Sequence, residues 1–174
     1  QQALAHGSVS AEDDVCLIEI GYYKAHFKIY LPGERRHEQF CEDLPESGES
    51  VFVMEYVHPG LSDVPIDFRI VRNVTGQGRF TRLHDIEQIE DLEAVTVLHH
   101  PAKVQRDVFT VRHEFRESGE FVGVVRLEQP DTGKVHTAVF PFDGKLVHLG
   151  ATHNWPGEAL EYFAKVYPCP PSEH

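Results

Sequence analysis

"VFTVRHEFRESGEFVGVVRLEQPDTGKVHTAVFPF", residues 108–142, decides the fold class. Three runs rich in Val and Phe, at 108–115, 120–128 and 134–142, are separated by "RESGE" and "QPDTG". β-Branched and aromatic residues suit a pleated surface, whereas Gly, Pro, Asp and Ser interrupt it. The stretch therefore reads as strands joined by hairpin-type turns. The pattern extends upstream. In "YYKAHFKIYL" (22–31), Tyr23, Ala25, Phe27, Ile29 and Leu31 share one face, while Lys24, His26 and Lys28 share the other. That is the period of a strand with one face in water. "VFVMEYV" (51–57), apolar on both faces, reads as a central strand, and "IDFRIVR" (66–72) and "AVTVL" (94–98) bring the total to seven. Seven short strands with little helix predict an all-β, antiparallel sandwich of immunoglobulin-like type. The Cys–Trp–Cys arrangement of antibody domains is absent.

Between the strands, "HDIEQIEDL" (84–92) suggests one or two helical turns with Ile86, Ile89 and Leu92 inward. Near the end, Leu160, Phe163, Ala164 and Tyr167 fall at helical spacing between Pro156 and Pro168, predicting a short amphipathic helix over about residues 157–167. The expected organisation is a signal remnant and acidic arm at 1–15, the sandwich at 16–145, and a helix and tail at 146–174.

A chain of 174 residues suits one domain with a full core, and the charge, 16 − 28 = −12, argues against nucleic acid as a partner. It also disfavours an anionic membrane surface and is compatible with cations, metal ions among them. No apolar run is long enough to span a bilayer. "QALAHGSV" (2–9) resembles the end of a secretory signal, with Ala3 and Ala5 placed as a signal peptidase requires and His6 next. The expected location is the bacterial periplasm or another exported compartment. There, of Cys16, Cys41 and Cys169, a Cys16–Cys41 disulfide can persist and tie the loop at 32–50 to the sheet, with Cys169 left over.

That bridge suggests a metal site. His37 precedes Cys41 by four residues and His6 precedes Cys16 by ten, so His6, Glu12, Asp13, Asp14 and His37 can converge. Imidazole nitrogens suit copper and zinc, and carboxylates complete or orient such sites. A mature N-terminal His adds its amine to the chelate. The candidate ligands are His6, His37, Asp14 and His26, the last facing solvent at the same end but flanked by Lys24 and Lys28, which repel a cation. His99 and His100 are adjacent and point to opposite faces of a strand, and His113 alternates with Phe109, Val111 and Phe115 as a core residue does. The sequence has no H-E-x-x-H, G-x-S-x-G or P-loop. "GQGRFT" (76–81) reads as a turn, and "NVT" (73–75) matches a glycosylation acceptor.

An Ala-His-Gly export junction followed by an immunoglobulin-like sandwich resembles periplasmic copper-binding proteins of the copper-resistance type, in which the mature N-terminal His helps to bind copper. From that class only His6 carries over. Met54 is the sole methionine, so a methionine-rich Cu(I) motif has no counterpart, and the resemblance implies Cu(II), or Zn(II) in its place. With "AEDDVC", "HEQFCEDLP" and "DFRIVRNVTGQGRF", the whole chain is also similar to an uncharacterised family of exported bacterial proteins. The expected function is a non-enzymatic metal carrier or buffer. The alternative is a metal-free module that binds another envelope protein. A copper oxygenase with an N-terminal His brace would need a second brace His, which the sequence does not single out.

Overall fold

The computed structural model describes residues 9–12, 15–33, 38–41, 43–45 and 48–145, which form two antiparallel sheets enclosing one main core. In chain order the strands are β1 (Val9–Glu12), β2 (Val15–Ile20), β3 (Tyr23–Tyr30), β4 (Gln39–Phe40), β5 (Gly48–Tyr56), β6 (Ile66–Arg72), β7 (Thr96–Lys103), β8 (Val108–Phe115), β9 (Gly119–Glu128) and β10 (Val135–Gly144). One sheet runs β1-β2-β3-β5-β8, with β4 beside the end of β3 that β2 leaves uncovered; the other runs β10-β9-β6-β7. The chain changes sheet after β5, β7 and β8, as in immunoglobulin-like sandwiches. All seven strands read from the sequence are present, and β5 is interior, as its two apolar faces required.

Two readings need correction. "RESGE" does not close a hairpin: β8 pairs with β5, and β9 with β6 and β10, so this turn passes from one sheet to the other. A short Gly-containing turn specifies a change of direction but not which strand becomes the ladder partner. Here Phe115 and Phe121 both point into the core, their rings 5.0 Å apart, and the corner forms around them. Of these two turns, only "QPDTG" closes a hairpin, with Val135 opposite Glu128 and Gly144 opposite Gly119. The acidic arm, in turn, contains a strand. β1 pairs with β2, Val9 opposite Ile18 and Ala11 opposite Cys16, and Val9 is buried. Four residues are too few to show a period.

The core follows from alternation. Tyr23, Ala25, Phe27 and Ile29 of β3 are buried, while Lys24, His26 and Lys28 lie on the opposite face. Phenylalanines fill the space between the sheets, with Phe27 and Phe140 centred 4.8 Å apart and Phe52 and Phe68 5.4 Å apart. These tilted contacts are favoured by the ring quadrupoles. A second, smaller apolar cluster lies on the outer face of the β10-β9-β6-β7 sheet, where Val71, Val122 and Val139 meet Ile86. Ile86 belongs to α1 (Leu83–Glu87), and α2 (Leu92–Val95) follows; Ile89 and Leu92 pack on the same cluster, as the helical spacing predicted.

Cys16 and Cys41 form a disulfide with Cα atoms 5.6 Å apart. Just beyond it, residues 43–45 lie along the end of β10. The Leu44 N–H donates to the Asp143 carbonyl at 2.7 Å, and the Lys145 N–H to the Leu44 carbonyl at 3.0 Å. The Leu44 side chain is fully buried, and Asp43 accepts from the Asp143 N–H at 3.1 Å and from Arg79 at 2.7 Å. This short strap ties β10 to the disulfide. Among the described residues no helix is long and apolar enough to cross a membrane. The helix expected at 157–167, and Cys169, lie outside the described residues.

Candidate functional site

Of the four candidate ligands, His6, Asp14 and His37 lie outside the described residues, as does Asp13. His26 is on β3, with its Nδ1 3.8 Å from Glu55 Oε2. Glu55 also accepts from Lys28 at 2.9 Å, a bond that raises the Lys28 pKa, and Lys24 pairs with Glu19 at 2.8 Å. His26 thus stands in a surface array of ion pairs, on the sheet face opposite that of Cys16, whose side chain joins the core. The β1–β2 hairpin also sets the direction of the N-terminal segment. Cys16 pairs with Ala11, whereas at Val9 the chain stands opposite Ile18, so it joins the sheet from the end where β2 turns into β3.

That end holds two imidazoles that spacing alone did not group. Gly21 and Tyr22 form the turn between Ile20 and Tyr23, with Gly21 at φ +65°, a left-handed conformation that favours glycine. A Cβ on Gly21 would also overlap the imidazole of His136. The Tyr22 and Tyr23 hydroxyls are hydrogen-bonded at 2.8 Å, and their rings stack 4.2 Å apart. His58 and His136 stand edge-on to both tyrosines at 5.2–5.9 Å. The hydrogen bond with Tyr22, in which the Tyr23 proton is held, and then burial push the Tyr23 pKa up to about 12. His58 caps the 3-10 turn Pro59–Asp63, its Nδ1 accepting from the Gly60 N–H at 3.3 Å. His136 is 8% exposed, and among the described residues its buried Nε2 has no hydrogen-bond partner. The legible signal was register: His136 is in phase with Ala138, Phe140 and Phe142, and so faces inward.

His99, His100 and His113 sit where alternation put them. His99 pairs with Arg69 on the outer face of its sheet, while His100 opposes the core residue Phe68. His113 is half-buried against Phe115, their ring centroids 4.6 Å apart, and burial lowers its pKa. Among the described residues no group of three or more His, Cys, Asp and Glu is placed to hold a metal ion.

The "NVT" and "GQGRFT" segments form one rigid loop. Asn73 Nδ2 donates to the Gly78 carbonyl and to Thr81 Oγ1, both at 3.0 Å, and Asn73 Oδ1 accepts from Thr75 at 2.7 Å. The Asn73 amide is committed to the loop, and the 3-10 turn Gly78–Phe80 displays Phe80 at 75% exposure. Asn73→Ala removes three partners at once and is expected to cost about 1–3 kcal/mol, measurable as a lower urea midpoint with unchanged m-value. An unchanged midpoint would show that the loop does not depend on this side chain.

No family model matches the chain, and no curated protein matches it in sequence. Among solved structures, the chain is similar to the soluble domain of PmoD from Methylocystis sp. ATCC 49242 (Rockwell). The TM-score is 0.61 and the identity 27%, over 74% of this chain and 97% of the PmoD domain. The likeness therefore spans nearly the whole of that domain.

Proposed function

We propose that this chain is an exported, non-enzymatic β-sandwich that binds a divalent metal ion, copper in preference to zinc, for delivery or buffering. The carrying observation is the pairing of β1 on β2. Val9 is buried opposite Ile18, and in sequence this paired strand begins three residues after His6. The disulfide suits an oxidising compartment, and the likeness to PmoD is to a soluble domain. The donor chemistry also fits. The chain joins β1 from the end that holds His58 and His136, and a buried imidazole nitrogen without a partner is of the kind copper and zinc take. His6 is the ligand on which this reading rests, its amine and ring acting together when it is the first residue, and His37, Asp14 and His26 are the other candidate ligands.

Calorimetric titration with Cu(II) tests this reading. A version starting at His6 is expected to bind clearly more tightly than one starting at Gln1. His6→Ala should remove most of that gain and His37→Ala part of it. Binding should weaken as pH falls through the imidazole range, because protons compete for the ligand nitrogens. Equal affinity in the two versions, insensitive to His6→Ala, would overturn the reading.

The exposed Phe80 on its pinned loop favours a second reading, a metal-free module that binds another envelope protein. In that case Phe80→Ser would abolish the association and leave the melting temperature unchanged.

A further inference from the structure

At the Ile66 end of β6, the outer face of the β10-β9-β6-β7 sheet carries a cleft of about 410 Å³ lined by Pro65, Asp67, Ala102, Arg126, Glu128 and Pro130. A bulge shapes it. Ile66 pairs with Lys103 but Phe68 with His100, so Asp67 alone opposes both Pro101 and Ala102. Bulges of this kind re-aim side chains and recur beside binding sites.

Asp67 is locked by a chain of hydrogen bonds. Arg69 can only donate, so His99 Nδ1 accepts from it at 3.2 Å, which leaves the ring proton on Nε2 to bond Asp67 Oδ2 at 2.8 Å. Arg69 is fixed in turn by Glu93 and Thr96, both at 2.7 Å. This leaves Asp67 Oδ1 for another partner. Arg126 is the direct cross-strand neighbour of Asp67, yet the two do not pair, and among the described residues Arg126 has no ion-pair partner. In a chain of net charge −12, an exposed guanidinium beside a carboxylate that is already engaged stands out. Directly opposed side chains start about 5 Å apart, so the guanidinium and the carboxylate rise side by side from one cross-strand pair into the same cleft.

We propose that this cleft binds a small zwitterion of the α-amino-acid type, with its carboxylate on Arg126, its ammonium on Asp67 and its apolar side chain against Pro65, Ala102 and Pro130. A guanidinium takes a carboxylate bidentately, and the proline and alanine walls give an apolar body somewhere to rest. Glu128 repels a second negative charge on the ligand, which disfavours dicarboxylates.

The test is a nitrogen-15 NMR titration of the whole chain with three probes: L-valine, 3-methylbutanoate (valine without its ammonium) and 2-methylpropylamine (valine without its carboxylate). L-Valine is expected to shift the Asp67, Ala102 and Arg126 amides saturably, and each one-armed analogue to bind about tenfold or more weakly. Arg126→Gln should abolish L-valine binding. Asp67→Asn should weaken L-valine while leaving 3-methylbutanoate unchanged, which also shows that the cleft is still folded. The proposal is overturned if L-valine gives no saturable shift, if it binds no better than 3-methylbutanoate, or if the shifts map elsewhere.

Discussion

Gly123→Ala is expected to destabilise the protein by about 3–5 kcal/mol, close to the cost of losing a core aromatic ring. Gly123 on β9 pairs with Phe140 on β10, and the Phe140 ring lies across the glycine so closely that a Cβ would fall inside it. Phe140 cannot step aside. It is 2% exposed and wedged against Phe27, Phe68 and Phe142, with centroids 4.8, 6.1 and 5.9 Å away. The extra methyl must therefore expel the ring and undo the stack that joins the two sheets. Urea denaturation of a double-mutant cycle checks this. Phe140→Ala should cost about as much as Gly123→Ala, and the pair together little more than Phe140→Ala alone, because the clash disappears with the ring. A Gly123→Ala protein with an unchanged midpoint would show that the ring has another place to go.

Replacing Cys16 and Cys41 by serine is expected to cost about 3 kcal/mol, mainly because the unfolded chain regains the freedom of the loop between them. The sequence separation is 25 residues, and the strap beyond Cys41 relies on that anchor. The effect should also be local. Hydrogen exchange at the Leu44 and Lys145 amides should accelerate well beyond the global change, while Phe27 and Phe52 in the core should follow the global change alone. Equal acceleration everywhere would mean that the strap holds without the bridge.

How much of this was legible depended on whether a property repeats along the chain. β3, β6 and β8–β10 were readable because Tyr23–Ala25–Phe27–Ile29 and its counterparts repeat along seven or more residues, and β5 because it is apolar on both faces. β1 and β4 were not, since strands of four and two residues contain no period, and pairing partners hold them in place. Ladder choice escaped for the same reason: "RESGE" and "QPDTG" look alike, but what decides between corner and hairpin is the core position of Phe115, a fact of packing. At the candidate site, the Cys16–Cys41 bridge was legible from chain order and compartment. The Tyr22–Tyr23–His58–His136 grouping was not, because its members come from the turn into β3, β3 itself, β10 and the loop after β5. Only the Gly21 turn and the sheet-to-sheet contact bring them together. The cleft at Asp67 depends on a bulge, which no residue pattern announces.

The strap at residues 43–45 bears on how this protein behaves in a crowded solution. β10 is an outermost strand, and an outermost strand with open N–H and C=O groups is a template on which another chain can grow. Leu44 occupies the last rung and buries its side chain, so an incoming strand meets a position already filled. Cover of this end of the edge therefore depends on the Cys16–Cys41 bridge that anchors the strap. In a reducing medium the rung at Leu44 is expected to open before the core does, leaving the last N–H and C=O groups of β10 open to another chain.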